Sequence, residues 1–445
     1  MALRRDLTAV QATALNMIDM VGIGPFVTTA LVASTMGFGP YALLAWLAGA
    51  ALCVVDAAIW SELGAKMPEA GGTYAFLRES YGRNTWGRLM AFLFTWQTTF
   101  QAPLVVTSGA LGFAKYLGYV VALDPFTTRL AAVALIVLLV ALLYRRIAHV
   151  GAISVVLWVA VMATMLVLIV CGLTNIDPAV VAAFTVAPSG DASWPPLQAA
   201  ALGAATISTV YSYLGYYNVC HLGAEVKDPV RIIPRSMYVS IAGIAAIYML
   251  MQMSIYAVVP FADVAASPFI VSTFFERLYG ADVATAMTAL VLVVAVASLF
   301  SVMLGYTRIP YAAAKDGLFF SVFGRLHPTG DFPHVALLVL GGLGIVFSLT
   351  LTLDDTIKAI ITMRVFTQFI AQAVGLVLLR RRVGAAAMPW RMWLYPVPVV
   401  LVIIGWLAMY ASAKPMQQVA AIVAPIIGSL IYVLVIRRRS TYDTP

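Results

Sequence analysis

The sequence predicts an all-α membrane protein with twelve transmembrane helices, and three observations lead to this fold class. Of the 445 residues, 62% are hydrophobic and 10% are charged, whereas a soluble domain is about half apolar and about a quarter charged. Apolar runs of about 20 residues, the length at which a helix crosses a bilayer, follow one another along almost the whole chain. The cations collect in alternate connections between these runs. This composition excludes a water-soluble enzyme.

Twelve apolar runs, numbered here as spans 1 to 12, are each closed by charged residues, glycine or proline. They lie near residues 10–33, 40–64, 85–114, 126–144, 150–173, 198–222, 236–259, 281–306, 334–352, 357–379, 393–410 and 418–436. The whole chain, 1–445, is therefore predicted to be one integral membrane domain. Its parts are a first half at 10–173, a second half at 198–379 and two appended spans at 393–436.

The distribution of cations predicts the orientation. Of the 27 Lys and Arg residues, 21 lie in the connections on the same side as both termini, five lie on the other side, and Arg364 lies within a span. Cytoplasmic loops carry such an excess, so both termini are predicted to be cytoplasmic, in the cell (plasma or inner) membrane. The net charge of +8 then requires no nucleic acid partner. The three cysteines lie in or beside apolar runs and provide neither a disulfide framework nor a metal site, and we expect no cofactor.

Two spans are interrupted near mid-depth. Span 1 contains VGIGPF (Val21–Phe26), and span 6 contains YSYLGYYN (Tyr211–Asn218). Proline removes a backbone donor and glycine permits unusual dihedral angles. Because each half contains five spans, an odd number, the two halves cross the membrane in opposite directions, as a 5+5 inverted repeat. Paired broken helices in such a repeat are typical of a secondary transporter with its site at the midplane, although glycine also serves simple close packing of helices.

Three further patterns follow in order: MPEAGGTYAFLRESYG (Met67–Gly82), GAEVKDPVRIIPRS (Gly223–Ser236), and GYTRIPYAAAKDGLFF with LHPTGDFPHVAL after it. With VGIGPF, they resemble motifs of the amino acid–polyamine–organocation (APC) superfamily, in its L-amino-acid-transporter-like branch, over nearly the whole chain. The GPF end of the first motif is also similar to plant polyamine uptake transporters. The resemblance implies a LeuT-type fold and alternating access. Residues 115–125 contain no cysteine, so no disulfide-linked heavy chain is expected.

The resemblance also implies a substrate held between the two breaks. Freed amides at Gly22–Gly24 are expected to bind a carboxylate, since a half-helix start attracts anions. Carbonyl groups of Tyr213 and Leu214 are expected to bind an amine, and Tyr211 matches the family's aromatic gate. The substrate-binding residues expected in this way are Asp19, Gly22, Ile23, Gly24, Tyr211, Tyr213, Leu214, Gly215, Gln97 and Gln101. Gln97 and Gln101 lie on one face of span 3, where ordinary interhelical hydrogen bonds explain them equally well.

Asp19 and Arg364 are charged residues within spans, where charge is costly and usually functional. Asp19, three residues before the first break, is expected to pair with a substrate ammonium, to carry a proton, or to cap the half-helix. An aspartate here differs from most of the family and favours an amine-rich substrate. Arg364 is expected to snorkel outward toward Asp354 and Asp355; pairing with a substrate carboxylate or with Asp19 is the alternative.

The expected gating and coupling residues are Glu62, Glu225, Ser298, Arg364 and Thr164. Glu62 is a gating or structural charge at one end of span 2, and Glu225 lies at the inner end of span 6. Sodium-coupled relatives carry adjacent hydroxyls in span 8, whereas Ser298 is followed by Leu299. Other relatives carry a lysine in span 5, where this chain has Thr164. Exchange, facilitated uptake and proton coupling therefore stay open.

The function implied is secondary transport or exchange (antiport) of amino acids, with a small-molecule substrate. A polyamine or organic-amine transporter of the same fold is the alternative, and a non-transporting amino-acid sensor is the second alternative. No catalytic cluster or nucleophile motif points to an enzyme, and no ring of like charges points to a channel.

Overall fold

The computed structural model describes residue 5 and residues 7–69, 71–144, 150–186, 194–328 and 332–436, and helices make up nearly all of their regular structure. The first ten α-helices are α1 (Ala9–Met20), α2 (Gly24–Met36), α3 (Gly39–Lys66), α4 (Thr73–Ser80), α5 (Gly87–Val120), α6 (Pro125–Leu143), α7 (Val150–Thr174), α8 (Pro178–Phe184), α9 (Ala199–Tyr213) and α10 (Asn218–His221). The rest are α11 (Pro229–Tyr256), α12 (Phe261–Ala266), α13 (Ile270–Tyr279), α14 (Ala281–Tyr306), α15 (Arg308–Lys315), α16 (His334–Thr350), α17 (Leu353–Arg364), α18 (Ala371–Val383), α19 (Val397–Ala411) and α20 (Pro415–Ile431).

The helices are those of a multi-pass membrane protein. Within the described ranges, seven helices are long and apolar enough to cross a membrane, and an eighth is obtained if α7 and α8, bent by 100°, count as one span. Three shorter apolar helices, α2, α16 and α19, contain 10–17 residues each. The all-α class is therefore confirmed for this part of the chain, and the count of twelve crossings stays a prediction.

Helical structure stops at both predicted interruptions. The first lies between the end of α1 at Met20 and the start of α2 at Gly24, with Pro25 in the first turn of α2, where its missing N–H costs nothing. The second lies between α9 and α10, where Leu214 is extended (ψ 144°) and Gly215 has φ +117°. Any side chain at position 215 would be strained at that φ.

A third irregularity was not predicted. The run at 357–379 is not a single α-helix, because a π-helical segment at Val365–Ile370 separates α17 from α18. Such segments often occur at functional sites. The segment begins directly after Arg364, the one cation that the sequence places within a span.

Three of the sequence motifs meet at one end of the bundle. A Cβ at Gly72 would lie 2.5 Å from His221 Nδ1, and a Cβ at Gly223 would lie 3.1 Å from the carbonyl oxygen of Glu69. The Tyr74 hydroxyl donates to Asp316 Oδ2 at 2.9 Å. Burial, followed by the Asp316 carboxylate, raises the pKa of Tyr74 above its ordinary value, so this hydroxyl keeps its proton. These contacts join the connections after spans 2, 6 and 8.

Candidate functional site

The two helix interruptions touch each other. A Cβ at Gly215 would lie 2.7 Å from the carbonyl carbon of Asp19 and 2.8 Å from the amide nitrogen of Met20. Only glycine permits this approach, because a side chain would collide with backbone atoms that cannot move aside. Across the same contact, the amide of Val219 donates to Asn16 Oδ1 at 2.9 Å. The two interruptions are therefore packed directly against each other.

Free backbone donors lie at the first interruption. Within the described hydrogen bonds, the amides of Gly22, Ile23 and Gly24 have no acceptor, and no side chain caps the start of α2. Gly22 is partly exposed, while Ile23 and Gly24 are buried. Unsatisfied amides at a helix start attract anions. This arrangement has the chemistry that we expect for a carboxylate site.

Free backbone acceptors lie at the second interruption. The carbonyl oxygens of Tyr213 and Leu214 accept none of the hydrogen bonds described for this chain. The ring of Tyr213 packs against Trp46 and Tyr248, with centroids 6.0 Å and 5.2 Å apart. Its hydroxyl is buried without a partner. Tyr213 therefore offers its backbone, not its side chain, to a ligand.

Tyr211 lies over the start of α2. Its Cε1 atom is 3.3 Å from the position that a Cβ at Gly24 would occupy. Its hydroxyl is hydrogen-bonded to Ser108 Oγ at 2.8 Å, and the residue is partly exposed. Tyr211 thus connects α9 to α5 beside the start of α2, and its role as a gate stays a prediction.

Asp19 carries a free carboxylate beside the second interruption. The residue is exposed, although its backbone is in contact with the buried Gly215. No hydrogen bond or contact ion pair to its carboxylate is present among the described residues. Arg364 is close enough to act on it electrostatically. Asp19 therefore leaves its carboxylate available beside the interruptions, and the surroundings of Asp19 and Gly22–Gly24 are called the recess below. Its expected role as a half-helix cap has no hydrogen bond to support it.

Arg364 is buried, with 4% of its surface exposed. Its Nη1 donates to the Tyr217 hydroxyl at 2.6 Å and its Nη2 donates to the Tyr306 hydroxyl at 2.8 Å. The favoured expectation of outward snorkelling is wrong, because Arg364 bonds to these tyrosines instead. Asp354 and Asp355 are occupied by other cations, namely Lys358 and Lys414.

Gln97 and Gln101 are buried and form hydrogen bonds between helices. Gln97 Oε1 accepts from the Thr367 hydroxyl, and Gln101 Nε2 lies 3.5 Å from the Tyr306 hydroxyl. Each has less than 3% of its surface exposed. Gln101 reaches the site indirectly, through the tyrosine that also holds Arg364. The interhelical interpretation fits these contacts better than a pocket lining.

Ser298 faces the first interruption, since its Oγ lies 2.6 Å from the position of a Cβ at Gly22. Thr164 is fully buried in α7. Glu62 is fully buried and forms a two-pronged ion pair with Arg380, at 2.5 Å and 2.6 Å. Glu225 is partly buried, and its backbone carbonyl accepts from the amide of Leu7 at 2.9 Å.

The sequence analysis missed three tyrosines of this site. Tyr217, Tyr306 and Tyr248 each bring a hydroxyl to the interruptions or to Arg364. Tyr217 stands within the quoted YSYLGYYN motif, yet nothing in that motif distinguishes its role from those of its neighbours. A hydroxyl at mid-span is the only signal that Tyr248 offers, and tyrosine is common in apolar helices.

Comparison with known proteins agrees with this architecture. A family model described as amino acid permease matches residues 7–436. The chain belongs to the amino acid permease family. The predicted membership of the APC superfamily is thereby confirmed.

Several relatives of this permease are Bacillus subtilis proteins. A methylthioribose transporter is 23% identical over 99% of this chain and 95% of its own length. The branched-chain amino acid permease BcaP is 24% identical over 99% and 94%, and the serine/threonine exchanger SteT is 22% identical over 91% and 90%. These relatives are transporters, not enzymes, and their names specify different substrates.

Proposed function

We propose that this permease is a secondary transporter or exchanger that moves amino acids by alternating access. In this proposal the chain forms a LeuT-type bundle of twelve spans with both termini in the cytoplasm. The observation that carries it is the arrangement of free groups at the two interruptions: three donors at Gly22–Gly24, two acceptors at Tyr213 and Leu214, and the unpaired carboxylate of Asp19.

These groups match the two ends of an amino acid. A carboxylate accepts from the Gly22–Gly24 amides, where the helix dipole of α2 adds positive potential. An ammonium group donates to the free carbonyls and to Asp19, and charge-assisted bonds of this kind are the stronger ones. One zwitterion therefore satisfies both sets at once.

Alternating access requires one part of the bundle to move against the rest. Tyr211 covers the amides while it bonds to Ser108 on α5. We propose that this contact opens and closes on one side, and that the Glu62–Arg380 ion pair contributes to closure at the far end of α3. Ser298, Thr164 and Glu225 remain candidates for coupling and gating. The similarity to SteT, a serine/threonine exchanger, supports exchange as one mode.

A polyamine or organic-amine transporter is the second candidate, and the free carboxylate of Asp19 supports it. An amine could use Asp19 and the carbonyls while leaving the Gly22–Gly24 amides unused. The buried guanidinium of Arg364 acts on the same recess, and it opposes a multiply charged cation. We therefore favour amino acids.

The test combines binding with uptake. Purified permease is screened by thermal shift against the twenty standard amino acids, putrescine and spermidine, because a ligand of the folded state raises its apparent stability. Hits are then followed as radiolabelled substrates in proteoliposomes. We expect at least one amino acid to bind and to be transported, and Asp19→Asn to weaken both processes. Asp228→Asn, in an exposed loop, is the matched control.

Each outcome decides between the candidates. Responses to polyamines alone would replace the proposal with the second candidate. Binding of amino acids without any uptake or exchange would favour a sensor. Unchanged binding in Asp19→Asn would remove Asp19 from the site.

A further inference from the structure

We infer that Arg364 selects substrates by their net charge. Together with Asp19 it makes the empty site neutral, and it favours amino acids of zero net charge over amines of the same shape. This inference rests on the proposed function and specifies its substrate class. It assigns to Arg364 a specificity role that is separate from gating.

Two opposite charges lie at the recess. Arg364 donates to the Tyr217 hydroxyl, two residues after Gly215, and Gly215 lies against the backbone of Asp19. Arg364 also acts electrostatically on Asp19. The two do not form a contact ion pair. Their charges therefore balance through space, and the carboxylate stays available to a ligand.

Arg364 keeps its full charge in this position. Its two bonded partners, Tyr217 and Tyr306, are neutral hydroxyls, and its Nε is buried without any acceptor. A guanidinium is always protonated. Burying a cation without a contact carboxylate is costly, so a negative charge elsewhere in the recess is needed to stabilise it. Asp19 supplies one, and a substrate carboxylate would supply another.

The two tyrosines bonded to Arg364, Tyr217 and Tyr306, also favour a ligand with negative charge. Each hydroxyl accepts a hydrogen bond from Arg364 and so keeps its own proton available for donation. Tyr306 is partly exposed, and a donor polarised by a guanidinium favours an anionic oxygen. A substrate that lacks a carboxylate would leave such donors unused.

The charge balance predicts selectivity. A zwitterionic amino acid leaves the occupied site neutral, whereas a monoamine leaves it at +1 and putrescine at +2. A unit charge about 8 Å from another, at an effective dielectric constant of about 20, changes an affinity by roughly 30-fold. Arg364 is thus expected to disfavour amines by this order of magnitude, and removing its charge should relieve that penalty.

The experiment measures an affinity ratio. The amino acid with the largest thermal shift is paired with the primary amine that lacks its carboxylate; for leucine this is 3-methylbutylamine. Both are titrated against reconstituted wild-type protein and against Arg364→Gln, Arg364→Lys and Asp19→Asn. The control is Arg129→Gln. Arg129 also donates only to neutral oxygens among its described partners, but it lies at the end of α16, away from the two interruptions. Its acceptors are the carbonyl oxygens of Ser348, Leu349 and Leu351.

In Arg364→Gln we expect the affinity of the amine relative to the amino acid to rise by at least about tenfold. Arg364→Lys should keep the wild-type ratio, and Arg129→Gln should leave the ratio unchanged. In Asp19→Asn the charge of Arg364 is uncompensated, so the affinity of the amine relative to the amino acid should fall. The N-acetylated amino acid carries only a carboxylate, and its affinity should rise.

Unchanged ratios in Arg364→Gln would overturn the inference and reduce Arg364 to a structural residue. If Arg364→Gln does not fold, the Asp19→Asn variant provides the test. The same preference between the amine and the N-acetylated amino acid in Asp19→Asn as in the wild type would equally overturn the inference. Failure of the wild-type protein to bind any amino acid would instead defeat the proposed function. The two failures are therefore distinguishable.

Discussion

Tyr248 holds the end of the first half-helix, because its hydroxyl lies 2.8 Å from the carbonyl oxygen of Met20. The same hydroxyl lies 3.0 Å from the carbonyl oxygen of Ser212, near the end of α9. One buried side chain on α11 therefore lies between both helix ends that border the interruptions. This contact keeps the free amides and the free carbonyls at a fixed separation.

Replacing Tyr248 by phenylalanine should destabilise the permease. The change removes the single hydroxyl proton that two buried carbonyl groups share, and losing such a bond costs about 1–2 kcal/mol. We expect a lower apparent melting temperature in detergent and weaker substrate binding. Tyr213→Phe is the matched control, since its buried hydroxyl has no partner and its removal should be neutral or stabilising. Equal losses in both variants would contradict the role of the Tyr248 hydroxyl.

Alanine at Gly22 should abolish uptake through a collision with Ser298. The new Cβ would lie 2.6 Å from Ser298 Oγ but 3.5 Å from Ser298 Cβ, so only the hydroxyl obstructs it. The double variant Gly22→Ala with Ser298→Ala should therefore regain part of the activity. Gly118→Ala, with no atom within 4 Å of its Cβ, should behave as wild type. Proteoliposome uptake measures all three, and an inactive double variant would show that the backbone at Gly22 needs glycine for another reason.

Removing the charge of Glu62 should cost much more than removing a surface charge. Glu62 is fully buried and accepts from Arg380 and from the amide of Met392. Breaking a buried pair costs about 3–5 kcal/mol because the remaining charge is left uncompensated. We expect this loss in the free energy of unfolding of Glu62→Gln. Lys414→Gln, which removes two partly exposed ion pairs with Asp354 and Asp355, should cost at most about 1 kcal/mol. Similar losses in the two variants would argue against a special role for the buried pair.

The carboxylate of Asp56 should matter as an acceptor, not as a partner of a cation. It is 1% exposed and accepts from Trp60 Nε1 at 2.9 Å, from the Tyr216 hydroxyl at 2.5 Å and from Trp406 Nε1 at 3.3 Å. Asp56→Leu strands three buried donors, each at a cost of about 1–3 kcal/mol, whereas Asp56→Asn retains one acceptor. Denaturant unfolding should therefore rank the stabilities as wild type, then Asn, then Leu. A leucine variant as stable as wild type would contradict this account.

The sequence was sufficient for features that depend on short stretches of chain. Hydropathy indicated a multi-pass helical protein, and four local motifs identified the family. The break at Val21–Phe26 follows from its own glycines and proline, since these residues change the backbone whatever surrounds them. The break near Gly215 is of the same kind.

The partners of the polar residues could not be predicted from the sequence. Glu62 was recognised as a gating or structural charge, but Arg380, its partner, is 318 positions away. Gln97 and Gln101 lay on the expected helical face, yet they bond to neighbouring helices and not to an open pocket. Helical periodicity gives the direction of a side chain, and it does not reveal what the neighbouring helix presents there.

The sequence by itself determined the helical membrane class, the family and the two helix breaks, because these depend on residue type and local spacing. Only the tertiary structure decided that Arg364 bonds to Tyr217, 147 positions earlier in the chain, instead of snorkelling toward Asp354 and Asp355. It also decided that Asp19 stays unpaired beside Gly215. Electrostatic and hydrogen-bond energies depend on distance in space, and packing brings together residues whose separation along the chain gives no indication of that distance.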